Sequence, residues 1–284
     1  MTDDIEKKQQ AAAETVSAPA AGQAALQEEH AAEERPLAAE ERREFEEFKR
    51  QKKIEEIRRL LRTIDHTMLK QTATSADIRK LCNEAKEYGF YSVCVQPVYV
   101  AACREFLRGC PQVKIACVVG FPMGENLTKT KVYETKQAVR DGADEIDMVI
   151  CISAVKNGQF GYVRREIKKI VRAAHGRPVK VIIETSLLTR DEMVRAASCA
   201  RDAGAAFVKT STGYFGEGAR AEDVRLLKET VAGKCQVKAS GGIRTAERLK
   251  EMVAAGADRI GTSAGKDIAK QLHEEGEQSG SVHS

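Results

Sequence analysis

The sequence lacks the features that mark a membrane, secreted or zinc-binding protein. No apolar run approaches the length that spans a bilayer, and the acidic first residues resemble neither a secretory signal nor a transit peptide. The eight cysteines are scattered without a C-x-x-C pair, and the five histidines are dispersed. We therefore expect a cytoplasmic protein with reduced thiols and no metal site.

The chain also has little net charge of either sign. The formal charge is +4, with acids and bases interspersed along the sequence. A nucleic-acid-binding protein would show a basic patch together with a recognised reading motif, so we expect no nucleic-acid partner. A length of 284 residues allows one large α/β domain or two small ones.

The N-terminal part differs in composition from the rest. Residues 1–37 are rich in Ala, Glu and Gln and predict a disordered extension, and residues 276–284 predict a disordered tail. Residues 38–62 predict a densely charged helix. Its narrow apolar stripe either packs on the end of the domain or binds an unknown protein or a second copy. The stripe consists of Phe45, Phe48, Ile54, Ile57 and Leu61.

From residue 63 to 275, short apolar runs alternate with amphipathic stretches. Ser75, Thr128 and Thr189 are candidate helix N-caps, and glycines follow several of the helix-like segments. Eight strands alternating with helices predict an α/β fold, a (β/α)₈ TIM barrel. An open doubly wound sheet is the alternative, although no Gly-rich fingerprint follows the first strand. The candidate strands are residues 63–65, 92–95, 114–119, 145–150, 179–184, 207–210, 237–240 and 259–262.

Two lysines stand alone inside apolar, strand-like runs. Lys209 and Lys238 each share a strand face with the serine two positions on, Ser211 or Ser240. Desolvation of an ammonium is costly, and a lysine with a lowered pKa is a nucleophile that can form a Schiff base with a carbonyl. The alternative is that either lysine lies on a solvent-facing strand edge.

Other candidate residues fall at the C-terminal ends of the predicted strands, where barrel enzymes have their active sites. Asp147 lies inside an apolar run, on the face opposite Ile146 and Met148, and could pair with both lysines. A structural salt bridge that fixes the barrel is the alternative for that set. Asp65, Thr67 and Cys94 are candidate supporting residues, Cys94 more as a core residue than a reactive one, and we give Glu184 no catalytic role.

Glycine-rich turns follow the last predicted strands. Bare backbone N–H groups in such turns suit a phosphate group, and Gly241 and Gly242 come three and four residues after Lys238. Gly213 repeats the Ser/Thr-Gly pattern, and Gly261 and Ser263 belong to the last turn.

Several motifs in the same order give the chain a wider resemblance. They are residues 64–70, 119–124, 142–149, 182–185, 207–213 and 237–244. With these motifs the region from Thr63 to Gly265 resembles the deoxyribose-phosphate aldolases, a family of class I aldolases.

The resemblance implies a role for each candidate. Lys209 aligns with the Schiff-base lysine, Lys238 with the lysine that tunes it, and Asp147 with the acid/base carboxylate. Gly213, Gly241, Gly242, Gly261 and Ser263 match the positions that hold the substrate phosphate. It also implies cleavage of 2-deoxyribose 5-phosphate to glyceraldehyde 3-phosphate and acetaldehyde, without a metal or organic cofactor, in deoxyribonucleotide catabolism.

Two features depart from the family pattern. Some members have a C-terminal tyrosine that assists proton transfer, and here no tyrosine follows Gly265. The first sixty residues have no counterpart in the family.

The sequence leaves two alternative functions open, a class I aldolase for another phosphorylated sugar and a non-catalytic scaffold that uses the N-terminal helix. It also leaves a homodimeric assembly open.

Overall fold

The computed structural model describes residues 39–278 and contains a closed barrel of eight parallel strands. Each strand pairs with the next one in sequence, and the eighth pairs with the first through Ile64–Ile260 and Asp65–Gly261. This confirms the predicted TIM barrel, and the open doubly wound sheet is wrong because no strand is left as an edge. The chain divides between Lys49 and Arg50 into two units.

Helices alternate with strands along the whole barrel. The strands are β1 (Ile64–Met68), β2 (Ser92–Val95), β3 (Lys114–Val119), β4 (Glu145–Val149), β5 (Val179–Ile182), β6 (Phe207–Lys209), β7 (Gln236–Ser240) and β8 (Arg259–Thr262). The helices are α1 (Ala39–Leu61), α2 (Ser75–Glu87), α3 (Val100–Phe106), α4 (Thr128–Asp141), α5 (Ile152–Lys156), α6 (Phe160–Ala173), α7 (Arg190–Asp202), α8 (Ala221–Val231), α9 (Ala246–Ala254) and α10 (Gly265–Gln278).

The helix N-termini show one correct capping prediction and two that are wrong. Thr189 caps α7 in a capping box with Glu192, as predicted. Helix α2 is capped by Thr74 rather than Ser75. Thr128 is the first residue of α4 and does not cap it, because its hydroxyl bonds to Tyr162 and Glu166 instead.

The fifth strand is shorter than the sequence predicts. It ends at Ile182, and Glu184 has a φ of 55°, in the left-handed region. The turn lets the Glu184 carboxylate accept hydrogen bonds from the backbone N–H and the hydroxyl of Thr212, at 3.1 and 2.5 Å. Glu184 therefore joins the ends of two neighbouring strands.

The main apolar core lies between the outer face of the strands and the helices, and includes Ile146 and Met148. Charged side chains occupy the barrel interior, where Asp147 of β4 contacts Lys238 of β7 although these strands are not neighbours. A second apolar cluster of Leu69, Cys94, Ala116 and Val118, with Phe121 packed against it, has members on β2 and β3 and just after β1. Because Asp147 faces inward, its predicted orientation opposite Ile146 and Met148 is confirmed.

Helix α1 begins with an exposed stretch and ends in the core of the second unit. Phe45 and Phe48 are 48% and 55% exposed. Ile57, Leu60 and Leu61 are each 4% exposed and belong to the main apolar core. The C-terminal half of the predicted stripe thus covers the barrel, as the packing interpretation expects.

The predicted terminal segments lie mostly outside the described residues. This is the case for residues 1–37 and for residues 279–284. Residues 276–278, which we assigned to the tail, are helical because α10 continues to Gln278. Within residues 39–278, no helix is both long enough and apolar enough to cross a membrane.

We expect a sharp difference between the two ends of α1. Leu60→Ala should lower the free energy of unfolding by about 2–5 kcal/mol, because it removes buried methyl groups from a packed core. Deletion of residues 1–49 should leave the urea-unfolding midpoint nearly unchanged, since residues 40–49 are exposed. A truncation as damaging as Leu60→Ala would contradict this division.

Candidate active site

The two lysines singled out in the sequence are neighbours in the barrel interior. Lys209 pairs with Lys238 in the register of β6 and β7, and their side chains are 4% and 0% exposed. Their Nζ atoms lie 2.9 and 2.8 Å from the same oxygen, Oδ2 of Asp147. The solvent-edge alternative is therefore wrong for both, and Asp147 joins them as expected.

Asp65 belongs to the same interior charge cluster as Lys209, Lys238 and Asp147. Its Oδ2 lies 2.5 Å from the Nζ of Lys238, and its Oδ1 accepts hydrogen bonds from Arg259 and Ser92, both at 2.7 Å. Lys238 is thus held between two carboxylates, Asp65 and Asp147. This fixes the ammonium beside Lys209.

A third buried lysine, Lys180, is not among the residues predicted from the sequence. Its Nζ donates to Oδ1 of Asp147 at 2.8 Å and lies 2.6 Å from the carboxylate of Glu145. Glu145 also contacts Arg259, at 3.3 Å. Lys180 stands alone in the apolar run 179–182, the pattern that singled out Lys209 and Lys238. The same criterion would have found it.

The environment divides the three lysines into two kinds. Burial lowers the pKa of Lys209, and the charge of Lys238 adds to this, against the opposing effect of Asp147. For Lys238 and Lys180, burial also acts to lower the pKa, but Asp147 and a second carboxylate outweigh it and raise the pKa. Lys209 is therefore the lysine most easily converted to a free amine.

Asp147 remains a carboxylate throughout the neutral range. Burial acts to raise its pKa, but Lys180, Lys209 and Lys238 together hold the pKa well below its usual value. A permanently charged acceptor beside a lysine of lowered pKa can take part in proton transfer. The arrangement suits attack of the Lys209 amine on a carbonyl, with Lys238 and Asp147 close to the reacting nitrogen.

The candidate supporting residues have structural contacts. The hydroxyl of Thr67 donates to the backbone oxygen of Asp65 at 2.9 Å. Cys94 is fully buried in the second apolar cluster, and burial raises the pKa of its thiol. These contacts agree with Cys94 as a core residue, and a part in the chemistry stays a prediction for both.

Three of the predicted phosphate-binding glycines lie in two loops that touch each other. Gly213, Gly241 and Gly242 have positive φ values of 84°, 90° and 73°. A Cβ on Gly218, in the loop after β6, would lie 2.4 Å from the carbonyl of Gly241. Such close approach of the two backbones requires glycine at the C-terminal ends of β6 and β7. Phosphate binding there stays a prediction.

Gly261 and Ser263 have different surroundings. Gly261 is buried within β8, where a Cβ would lie 2.9 Å from the Cβ of Ser240 and 3.0 Å from the Cε of Lys238. A side chain at this position would displace Lys238, which gives Gly261 a use that needs no phosphate. Ser263 is exposed just beyond the end of β8.

A second buried ion pair supports the loop after β4, and the sequence analysis missed it. Lys131 and Glu166, both fully buried, lie 2.9 Å apart. Lys131 donates to the carbonyl of Val149 at 2.8 Å, and Glu166 accepts from the N–H of Cys151 at 3.1 Å. The pair fixes the backbone two and four residues after Asp147.

Within residues 39–278, no group of His, Cys, Asp and Glu side chains could hold a metal ion.

We expect Lys180→Met to destabilise the barrel by about 3–5 kcal/mol at neutral pH, because it leaves buried carboxylates without their partner. Lys180 helps to hold the pKa of Asp147 down, so its removal raises that pKa. The deficit should therefore shrink as the pH falls and Asp147 takes up a proton. Urea unfolding from pH 7 to pH 4 measures this, with the exposed Lys270→Met as control. Equal stability of Lys180→Met and wild type at pH 7 would contradict the assignment.

Comparison with known proteins agrees with this geometry. The model of the DeoC/LacD family aldolases matches residues 59–271. Deoxyribose-phosphate aldolase of Caldicellulosiruptor saccharolyticus is 54% identical over 211 residues, which cover 73% of this chain and 96% of that protein. The enzyme of that name from Aciduliprofundum boonei is 52% identical over 217 residues, covering 76% and 97%.

A solved structure extends the likeness to three dimensions. The deoxyribose phosphate aldolase from Aeropyrum pernix, described as a unique tetramer, has a TM-score of 0.73 at 33% identity, covering 80% of this chain and 97% of that one. The matched family region contains all the residues of the charge cluster. This chain belongs to the DeoC/LacD family of aldolases.

Proposed function

We propose that the protein is a class I aldolase that reversibly cleaves 2-deoxyribose 5-phosphate to glyceraldehyde 3-phosphate and acetaldehyde. The observation that supports this most directly is the position of Lys209, a buried amine of lowered pKa hydrogen-bonded to Asp147 beside the ammonium of Lys238. Relatives that are more than half identical and are named deoxyribose-phosphate aldolases support the choice of substrate.

The first steps form an imine on Lys209. The neutral amine attacks the C1 carbonyl of the open-chain sugar, and loss of water gives an iminium ion. Lys238 favours the neutral amine by its charge, and Asp147 accepts and returns protons, by way of a water where direct transfer does not reach. The iminium then acts as the electron sink for the cleavage, so that this step needs no metal or organic cofactor.

The cleavage breaks the bond between C2 and C3. The C3 hydroxyl loses its proton, glyceraldehyde 3-phosphate leaves, and the bonding electrons form an enamine between C2, C1 and the Lys209 nitrogen. Protonation of C2 and hydrolysis of the imine then release acetaldehyde and restore the amine. Positioned acid/base groups such as Asp147 and Lys238 typically contribute about 10²–10⁴-fold to steps of this kind.

The substrate phosphate would bind at the glycine-rich ends of β6, β7 and β8. Gly213, Gly241 and Gly242 expose backbone N–H groups there, and Ser263 offers a hydroxyl. The C-terminal ends of the strands lie at this edge of the barrel, beyond Lys209 and Lys238. Gly261 supports the same region by leaving room for Lys238.

The two alternatives are less well supported. A scaffold has no use for a lysine of lowered pKa in contact with a buried carboxylate. An aldolase for another phosphorylated sugar has the same lysine chemistry, and turnover of 2-deoxyribose 5-phosphate against ketose bisphosphates separates them.

We further propose a cytoplasmic location. A homodimer and a partner for α1 stay predictions, and the relatives described above give no support for that partner.

We expect borohydride reduction in the presence of acetaldehyde to trap a two-carbon adduct on Lys209, detectable by peptide mass spectrometry. Lys209→Arg should show neither adduct nor turnover while it keeps its fold, because a guanidinium cannot form the imine at neutral pH. An adduct on Lys180 or Lys238 alone, or no adduct in active protein, would contradict the mechanism.

Lys238→Leu should raise the pKa of the Lys209 amine, because the variant removes the neighbouring cation and leaves Asp147 in place. Lys209 must be neutral to attack, so the acid limb of the kcat/KM profile should move to higher pH. The exposed Lys80→Leu serves as control. An acid limb that stays in place would exclude the tuning role of Lys238.

A further inference from the structure

The outer surface of α6 carries five cations that stand within nine consecutive residues of the sequence. The only acid of this helix, Glu166, is fully buried with Lys131, so the exposed face carries no negative charge. That face consists of Arg164, Arg165, Lys168, Lys169 and Arg172. Acids and bases are interspersed along the chain as a whole, and the exposed face of α6 is a local exception.

A groove of about 500 Å³ lies between this helix and α4. Its floor includes the apolar side chains of Val132 and Ala173, and its lining contains no carboxylate. Its basic side chains come from both helices and the turn after α6. They are Lys129, Lys136, Lys169, Arg172 and His175.

The lysines and the arginine of the groove are unpaired, unlike some other cations of residues 39–278. Lys156, Lys228 and Arg248, for example, each contact a carboxylate. By contrast, no ion pair or side-chain hydrogen bond is made within residues 39–278 by Lys129, Lys136, Lys169 or Arg172. Four uncompensated positive charges around one concavity attract an anionic ligand.

We propose that this groove binds a phosphorylated small molecule of nucleotide size, with its phosphates on the lysines and Arg172 and its apolar body on Val132 and Ala173. The volume lies within the range of small-molecule sites, and such sites combine an apolar floor with a few polar groups. Lysine and arginine are the usual partners of phosphate oxygens. The site is separate from the barrel interior and does not depend on the proposed aldolase reaction.

A small ligand suits the surface better than a nucleic-acid strand. The remaining cations of α6, Arg164, Arg165 and Lys168, line a separate groove of about 210 Å³ that also contains Asp202. A polyanion that followed the helix would have to pass this carboxylate. The groove between α4 and α6 has no such interruption.

Calorimetric titration of the full-length protein with ADP tests the proposal. We expect saturable binding that is weakened at least about tenfold in Lys136→Glu/Lys169→Glu, because two phosphate contacts become repulsive. The double variant Lys80→Glu/Lys270→Glu has the same change in net charge on other helices and should bind within about twofold of wild type. Thermal melting should show that both double variants remain folded.

A second comparison tests the apolar floor. Val132→Ala should weaken binding of ADP but not of inorganic pyrophosphate, since only ADP has a nucleoside that would contact the apolar floor of the groove. Absence of saturable ADP binding, or equal weakening in both double variants, would overturn the proposal. So would binding of a single-stranded oligonucleotide that is about a hundredfold tighter than ADP and is lost in Lys136→Glu/Lys169→Glu, because that pattern indicates a polyanion surface.

Discussion

The charge count of the barrel interior is the constraint on which the rest of the site depends. The buried cluster contains four cationic side chains, Lys180, Lys209, Lys238 and Arg259, and three carboxylates, Asp65, Glu145 and Asp147. With every group ionised the interior has one positive charge in excess. It becomes neutral when one lysine loses its proton. Lys209 contacts one carboxylate, whereas Lys238 and Arg259 contact two each and Lys180 contacts three, so proton loss is most favoured at Lys209.

The sequence was sufficient for the fold and for the centre of the site. The alternation of apolar runs and helices predicted the closed barrel, and lone lysines in apolar runs identified Lys209 and Lys238. It predicted that Asp147 pairs with both lysines but not the contact of Arg259 with Glu145, because contacts between unpaired strands depend on closure of the sheet. Lys180 on β5 also stands alone in an apolar run, but it was not predicted. Glu184 was predicted within a strand, because its left-handed turn leaves no mark in the local composition.

The two buried ion-pair systems have different relations to the surface. The interior cluster lies on strands, whereas Lys131 and Glu166 lie on the helices that form the cationic groove. Thr128 lines that groove and also contacts Glu166 at 3.4 Å, and Glu166 in turn holds the backbone after β4. The helix layer is thus in physical contact with the strand that carries Asp147. Hydrogen bonds of Lys131 and Glu166 therefore connect α4 and α6 to the backbone at and after the end of β4.

The burial of the interior cluster also separates its chemistry from the ionic composition of the medium. Dissolved ions screen charges at the surface within about 8–10 Å at physiological salt, but they do not enter a packed barrel interior. Lys180 and Lys238 are fully buried, and so are the carboxylates of Asp65 and Asp147. The balance that lowers the pKa of Lys209 is therefore an intrinsic property of the fold, and changes in salt concentration should alter it little.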